Sequence, residues 1–448
     1  MVEIKKILDK DGWLTDLNPS QSTSLELLLS EGYIRYVQDM TGMRVDAKAL
    51  GLEAKDWRQA LSVQEILQNL TAHEKDLAAY LPSLAPQGGT YEALQNELVR
   101  LVEDGKREQR MVLLDSPGLL KPGEGDAHVP LLRARFDLSE KQGTERYTYD
   151  PELVAALKNF QEEQGLQADG IIGQKTLRML NQTQTDKIQQ IIVNLERLRW
   201  LPEQRYSRYI VVNLPSATLW AIDNGEVSYE MPVVVGTKER PTASFITFVH
   251  GVRFNPTWTI PPTVKVKDIW PKLKDDPNYI QDKGIEVYDG YGKEAKTLDP
   301  SVIDWKTISK AELSALRMVQ IPGAHNPLGR IRVLMPNHYN IFLHDTNHPE
   351  LFSAFERTQS SGCIRMQKPE DIARFIMKKY PHWSEERMQE ILDSGKEKDY
   401  YIQEKMPVYL LYQTVWLGDK NRIIYGEDIY GHDAKLWKEL EKIDQIRL

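Results

Sequence analysis

The run Tyr209-Ile210-Val211-Val212-Asn213, followed by Ala217-Thr218-Leu219-Trp220-Ala221-Ile222 and then Asp223-Asn224-Gly225, marks where the chain turns to β-structure. β-Branched and aromatic residues fill both runs, and such side chains fit a pleated, half-buried surface. Asp-Asn-Gly ahead of the run 227–235 predicts a tight hairpin. Strand-like runs recur at 245–252, 331–335, 341–344 and 408–416. Short strands separated by turns predict a mostly β domain, a sandwich or open barrel, rather than a parallel α/β sheet. The segment 261–327 interrupts the pattern. It is polar and carries Lys265, Lys267, Lys272 and Lys274, so it reads as a helical capping insertion over the sheet.

Upstream the texture is helical. Thr23 to Gly32 has a cap-like start and a glycine stop, and helical runs follow at 63–81 and 91–102. No acid/base pair or nucleophile constellation stands out there, which predicts an all-α scaffold. Ser116-Pro117-Gly118 to Gly125 reads as a connector. Leu153, Val154, Leu157 and Phe160 then form one helical stripe. A turn at Gly165-Leu166-Gln167-Ala168-Asp169-Gly170-Ile171-Ile172-Gly173 leads to a second helix at Gln174-Lys175-Thr176-Leu177. The expectation is a multi-domain α+β chain. A helical scaffold spans 1–125, a small helical module 126–188, and the β domain 189–448, with its insertion at about 261–327.

The composition is that of a globular protein: 448 residues, 41% hydrophobic and 27% charged. A net charge of −8 argues against nucleic acid, because phosphate binding needs a dense cationic face. No apolar run reaches the ~18 residues of a membrane span. The first ten residues, Met1 to Lys10, lack the apolar core of ~7–15 residues of a secretory signal. Taken literally, that start predicts a cytoplasmic chain.

The single cysteine, Cys363, cannot form an internal disulfide and rules out cysteine-based zinc or iron–sulfur sites within the chain. No metal or other cofactor is expected. A lone thiol is either a small buried hydrophobe or a nucleophile. Its surroundings favour the second. Ile341-Phe342-Leu343-His344 ends a strand, and Cys363 follows nineteen residues later in Thr358-Gln359-Ser360-Ser361-Gly362-Cys363-Ile364-Arg365-Met366. Attack on a carbonyl needs a thiolate, and histidine supplies the base. Gly362 permits a tight turn that presents the sulfur, and N–H groups of Gly362 and Cys363 are candidate oxyanion donors. Arg365 adds a cation that lowers a thiol pKa or binds a carboxylate. These residues point to Cys–His acyl transfer.

The chain resembles two known families. Phe160-Gln161, Gly165-Leu166, Asp169-Gly170, Gly173 and Thr176-Leu177 resemble a peptidoglycan-binding module. His344, Ser360, Gly362, Cys363, Ile364 and Arg365 resemble the L,D-transpeptidase motif, with Ser361 in place of its second histidine. Val234-Val235-Gly236, Arg240-Pro241-Thr242, Pro261-Pro262-Thr263, Pro322-Gly323, Asn326-Pro327-Leu328-Gly329 and the stretch 425–433 extend the likeness to the large YcbB-type members. Phe342 departs from it, standing where those members can carry Tyr.

The resemblance implies that Cys363 attacks the third residue, a diamino acid, of a peptidoglycan tetrapeptide stem. D-Alanine leaves, and the amine of a second stem then takes the acyl group, giving a 3→3 cross-link. His344 is then base and acid, and its other nitrogen rests on a backbone carbonyl, so Asp345 is not assigned. Ser360 and Ser361 support the turn, and Arg365 orders it or holds a carboxylate. β-Lactams, carbapenems above all, become expected acylating inhibitors. Cell-wall synthesis enzymes become possible partners. The implied location is the periplasm, with a leader or anchor absent from this chain. An L,D-carboxypeptidase and a non-catalytic peptidoglycan-binding scaffold stay open as alternatives. A serine D,D-enzyme is excluded by the lack of Ser-x-x-Lys, and a zinc peptidase is disfavoured by the lack of His-Glu-x-x-His.

Overall fold

A computed structural model describes residues 18–104, 120–203, 206–276, 278–418 and 421–446. The chain divides into two compact units, one of 1–204 with 412–448 and one of 205–411.

In the first unit, Asn18 and Gln21 form a capping box that opens the helix Pro19–Thr41. The helix runs through Gly32, where the sequence predicts a stop. A mid-helix glycine costs only about 1 kcal/mol relative to alanine, and buried Leu25, Val37 and Met40 anchor the helix on either side of it. The single run expected at 63–81 is two helices, Val63–Ala72 and Leu77–Ser83. Gly89–Asp104 forms a further helix. The start read as lacking a secretory signal (1–10) and the first part of the connector lie outside the described residues.

Helices Pro151–Glu163 and Gln174–Leu180 enclose a small core of Leu120, Val129, Leu132, Tyr149, Leu153, Leu157, Ile172 and Leu180. Gly170 turns the chain at φ +74°, which favours glycine. The Gln161 side chain fastens this turn, donating to Asp169 Oδ1 and Ile171 O and accepting from Gly170 N at 2.9 Å. Helix Gln184–Arg199 presents Asn194, whose Oδ1 accepts from the backbone of Thr414 and Val415. Among the described residues, no helix is long and apolar enough to cross a membrane.

The second unit is built on a nine-stranded sheet. Its strands are β1 (Arg208–Asn213), β2 (Thr218–Asp223), β3 (Glu226–Gly236), β4 (Phe245–Phe254), β9 (Ile331–Leu334), β10 (Leu343–His344), β11 (Thr358–Ser360), β12 (Ile364–Met366) and β13 (Lys398–Leu411). They run in the order β11-β3-β12-β10-β9-β4-β13-β1-β2, with β2 also paired to β3, so the sheet closes on itself. The predicted hairpin forms with Asn224 at φ 53° and Gly225 at φ 85°, the two left-handed residues of a type I′ turn. The run expected at 408–416 divides. β13 ends at Leu411, and Val415–Leu417 pairs with Ile423–Tyr425 in the first unit. Helix Pro369–Met377 buries Ile372, Ala373, Phe375 and Ile376 and packs on the sheet.

The insertion departs from the expected all-helical cap. Four further strands, β5 (Trp258–Thr259), β6 (Ile285–Tyr288), β7 (Thr297–Leu298) and β8 (Arg317–Gln320), form a sheet in the order β5-β8-β6-β7 among short helices. The short strands β6 and β8 give too little alternation to stand out from a polar sequence. Their inward residues Ile285, Val287 and Met318 join Ile260, Ile269, Leu273, Trp305 and Leu313 in a core of the insertion's own.

Candidate active site

Strand register aligns one row of side chains across the sheet. Asp399 of β13 faces Arg253 of β4, Arg253 faces Arg332 of β9, Arg332 faces His344 of β10, and His344 faces Arg365 of β12. Residues directly opposite each other in a sheet share a face. Cys363 sits one residue ahead of β12, and Ile364 N donates to Phe342 O beside it. The thiol lies within electrostatic reach of both Arg332 and Arg365, and the Phe342 N–H faces its sulfur. Of the residues singled out by sequence, register sets His344 and Arg365 side by side, with Arg332 on the other flank of His344, and Cys363 lies within electrostatic reach of both arginines.

His344 is buried. Its Nδ1 contacts the main-chain oxygen of Asp345. A carbonyl only accepts, so Nδ1 carries the proton and Nε2 keeps a free lone pair. Burial, then the Arg365 and Arg332 cations, push its pKa down to about 3. The Asp345 side chain is occupied elsewhere, its Oδ2 accepting from Arg330 N at 2.7 Å and its Oδ1 from Thr346 N at 2.6 Å. Burial raises the Asp345 pKa despite those bonds. Gly329, at φ +59°, leaves room for this carboxylate, where any Cβ would collide with it.

The cysteine turn is held from three sides. Ser360, itself buried, donates from Oγ to Cys363 O and accepts from Gly362 N at 3.1 Å. Thr242 accepts from Gly236 N at 2.9 Å and donates to Gly362 O at 2.8 Å. Gly362 has φ 113°, a conformation that L side chains rarely adopt. The Gly362 N–H, expected to face an oxyanion, is thus taken by Ser360. The Cys363 N–H makes no hydrogen bond among the described residues. Ser361 is exposed and accepts from Arg240 at 2.9 Å, and Arg240 also pairs with Asp268 of the insertion at 3.0 Å.

Cys363 is half-buried, and its Sγ donates to Asn340 O at 3.7 Å. Burial pushes the thiol pKa up, while the Phe342 N–H and the Arg332 and Arg365 charges oppose that rise without cancelling it. The resting pair is a neutral thiol and a neutral imidazole. The sequence offers Arg365 either to lower the thiol pKa or to bind a carboxylate; its charge does act to lower that pKa, and desolvation outweighs it. Of the cap lysines, Lys265 is buried with Nζ on the Ser314 and Leu316 carbonyls, and Lys274 stands 3.9 Å over the Trp270 ring.

This sheet and its cysteine turn define a class. The family model of the YkuD L,D-transpeptidase catalytic domain matches residues 207–433, just over half of the chain, and the chain belongs to that family. A scaffold-domain model matches residues 3–98, and a model described as "Putative peptidoglycan binding domain" matches 131–180. A Haemophilus influenzae protein named "Putative L,D-transpeptidase" is 34% identical over 248 residues, which cover 55% of this chain and 49% of that protein. The chain therefore spans about half the length of this curated relative. Among solved structures, an L,D-transpeptidase from Stackebrandtia nassauensis is 12% identical with a TM-score of 0.23, covering 65% of this chain and 94% of that one. One from Xylanimonas cellulosilytica is 14% identical with a TM-score of 0.22, covering 66% and 100%. The catalytic domain of an Enterococcus faecium L,D-transpeptidase acylated by ertapenem is 13% identical with a TM-score of 0.23, covering 46% and 99%.

Proposed function

We propose that this protein is an L,D-transpeptidase that joins peptidoglycan stems through a thioester on Cys363. The observation that carries the reading is the row on which His344, with Nε2 unprotonated, stands across from Arg365, beside the cysteine turn. His344 takes the thiol proton as sulfur attacks the carbonyl of the third stem residue. It returns that proton to the departing D-alanine amine. A second stem's side-chain amine attacks the thioester and gives a proton to His344, the new amide forms as the carbon–sulfur bond breaks, and His344 returns that proton to the departing sulfur. Cys363 N–H is the available oxyanion donor. Ser360, Ser361 and Gly362 shape the turn. Arg365, with no hydrogen bond to the turn among the described residues, is a carboxylate ligand rather than a turn-orderer.

Family membership and the match to a peptidoglycan-binding domain support peptidoglycan as substrate, and the same acyl chemistry makes carbapenems the expected covalent inhibitors. The same reading puts the protein in the periplasm, with 1–125 as scaffold, 126–188 as wall-binding module and 189–448 as catalytic domain with its cap at 261–327. Mass analysis of products from purified muropeptides tests it. Cross-linked dimers with loss of D-alanine are expected. A tripeptide as sole product would make the protein an L,D-carboxypeptidase, and no product would leave a binding scaffold.

A further inference from the structure

The row through the site holds three guanidinium groups, and only one is neutralised. Arg253 forms a two-pronged pair with Asp399 at 2.6 and 2.7 Å. Arg332 and Arg365, the groups flanking His344, have no carboxylate within 4.0 Å among the described residues. Both are half-buried, and burial holds both pKa values below the ordinary arginine range. Arg332 Nε is buried with no hydrogen-bond partner. Its guanidinium lies 3.7 Å over the centre of the Phe342 ring, which fixes its plane. Two partly desolvated cations with an orphaned donor are costly unless an anion completes them.

Resting on the transpeptidase reading, we propose that Arg332 joins Arg365 in holding a carboxylate of the donor peptide, and that this is the free α-carboxylate of the residue that leaves. The chemistry of the leaving group sets the position. His344 must reach the departing amine nitrogen to protonate it. In an α-amino acid the carboxylate carbon lies about 2.5 Å from that nitrogen, across a single Cα. Neighbouring strands are about 4.8 Å apart, so Arg332 and Arg365 stand one strand to either side of His344. A carboxylate beside the amine therefore falls between two planar donors built for it. Phe342 takes part by carrying the Arg332 plane, which gives this departure from the family pattern a role. The arrangement makes the free chain end a requirement. A donor amidated there, or one residue longer, presents a neutral amide to two unpaired guanidinium groups. Arg332 is thus a specificity-determining residue for the donor.

The test compares three synthetic tetrapeptide donors with the 448-residue chain: the free acid, its C-terminal amide, and a free acid amidated at the side-chain carboxylate of the third residue. Wild type is expected to lose about a hundredfold in kcat/KM on the C-terminal amide and far less on the side-chain amide. Arg332→Gln should slow the free acid and shrink the terminal discrimination to about tenfold or less, with Arg332→Lys between the two. A merely structural role, or an effect on thiol ionisation, would slow all donors alike and leave the ratio unchanged. That unchanged ratio would overturn the assignment. Discrimination that vanishes only for the side-chain amide would also overturn it and place the third residue's own carboxylate there. Thermal unfolding of both variants checks folding, and if Arg332→Gln does not fold, the Arg332→Lys ratio decides. A wild-type protein that turns over none of the donors would overturn the transpeptidase reading itself, and this inference with it.

Discussion

His344 is held by the main-chain oxygen of the next residue, Asp345, while the Asp345 carboxylate serves two backbone N–H groups instead. The orienting partner of the imidazole is neutral. It fixes the tautomer without stabilising an imidazolium as a carboxylate would, which agrees with a pKa near 3. His344→Asn keeps a donor for that oxygen but removes the base. Its acylation rate should fall by about 10²–10⁴-fold with little change in stability. Stopped-flow acylation by a carbapenem or a thioester donor measures this. A loss below tenfold would remove His344 from the base role.

The resting pair is uncharged on both sides, so no low-pH thiolate is expected. Alkylation of Cys363 by a small haloacetamide should rise through a single step with a midpoint above the ordinary thiol pKa of about 8.5. The sign follows from burial, which disfavours the charged form of either group. A rate plateau extending down to pH 5 would show a thiolate–imidazolium pair instead.

Gly329 and Asp345 are tied sterically. Gly329→Ala forces a side chain into a left-handed residue and against the Asp345 carboxylate. The expected cost is about 2–4 kcal/mol, read as a lowered denaturant midpoint, with a misoriented His344 as a second effect. Unchanged stability with full activity would show that the 329–345 contact is not a constraint.

Thr242 spans from strand β3 to the cysteine turn through one hydroxyl. Thr242→Val keeps its shape and removes both bonds, leaving Gly236 N and Gly362 O without this partner. About 1–3 kcal/mol of stability should go, and acylation should slow about tenfold or more as the turn loosens. Thr242→Ser should restore most of both. Equal rates in Val and Ser variants would confine Thr242 to packing.

Much of this site could be read from the chain because its signals are local. Cys363 and His344 stood out as the lone thiol and a strand-end imidazole, and the turn chemistry of Gly362 is legible in three residues. The hairpin at Asn224-Gly225 was equally local. Arg332 was not found, because its meaning lies in register: it matters only once β9 sets it opposite His344. Its one sequence signal was a second arginine alternating with apolar residues in Arg330-Ile331-Arg332-Val333. The Arg240–Ser361 contact likewise depends on tertiary placement, whereas the Ser360 claim on the Gly362 N–H is a local turn bond that the reading of Gly362 as an oxyanion donor overlooked. The helix running through Gly32 and the small sheet of the insertion were missed for another reason. Packing there overrides weak local preference.

The central claim is that Cys363 is an accessible acyl acceptor, and intact-protein mass spectrometry after incubation with a carbapenem tests it most directly. One adduct per chain is predicted on the wild-type protein, mapping to the peptide that contains Cys363 and absent from Cys363→Ala. A wild-type protein that stays unmodified while a small alkylating reagent readily caps the same thiol would contradict the account.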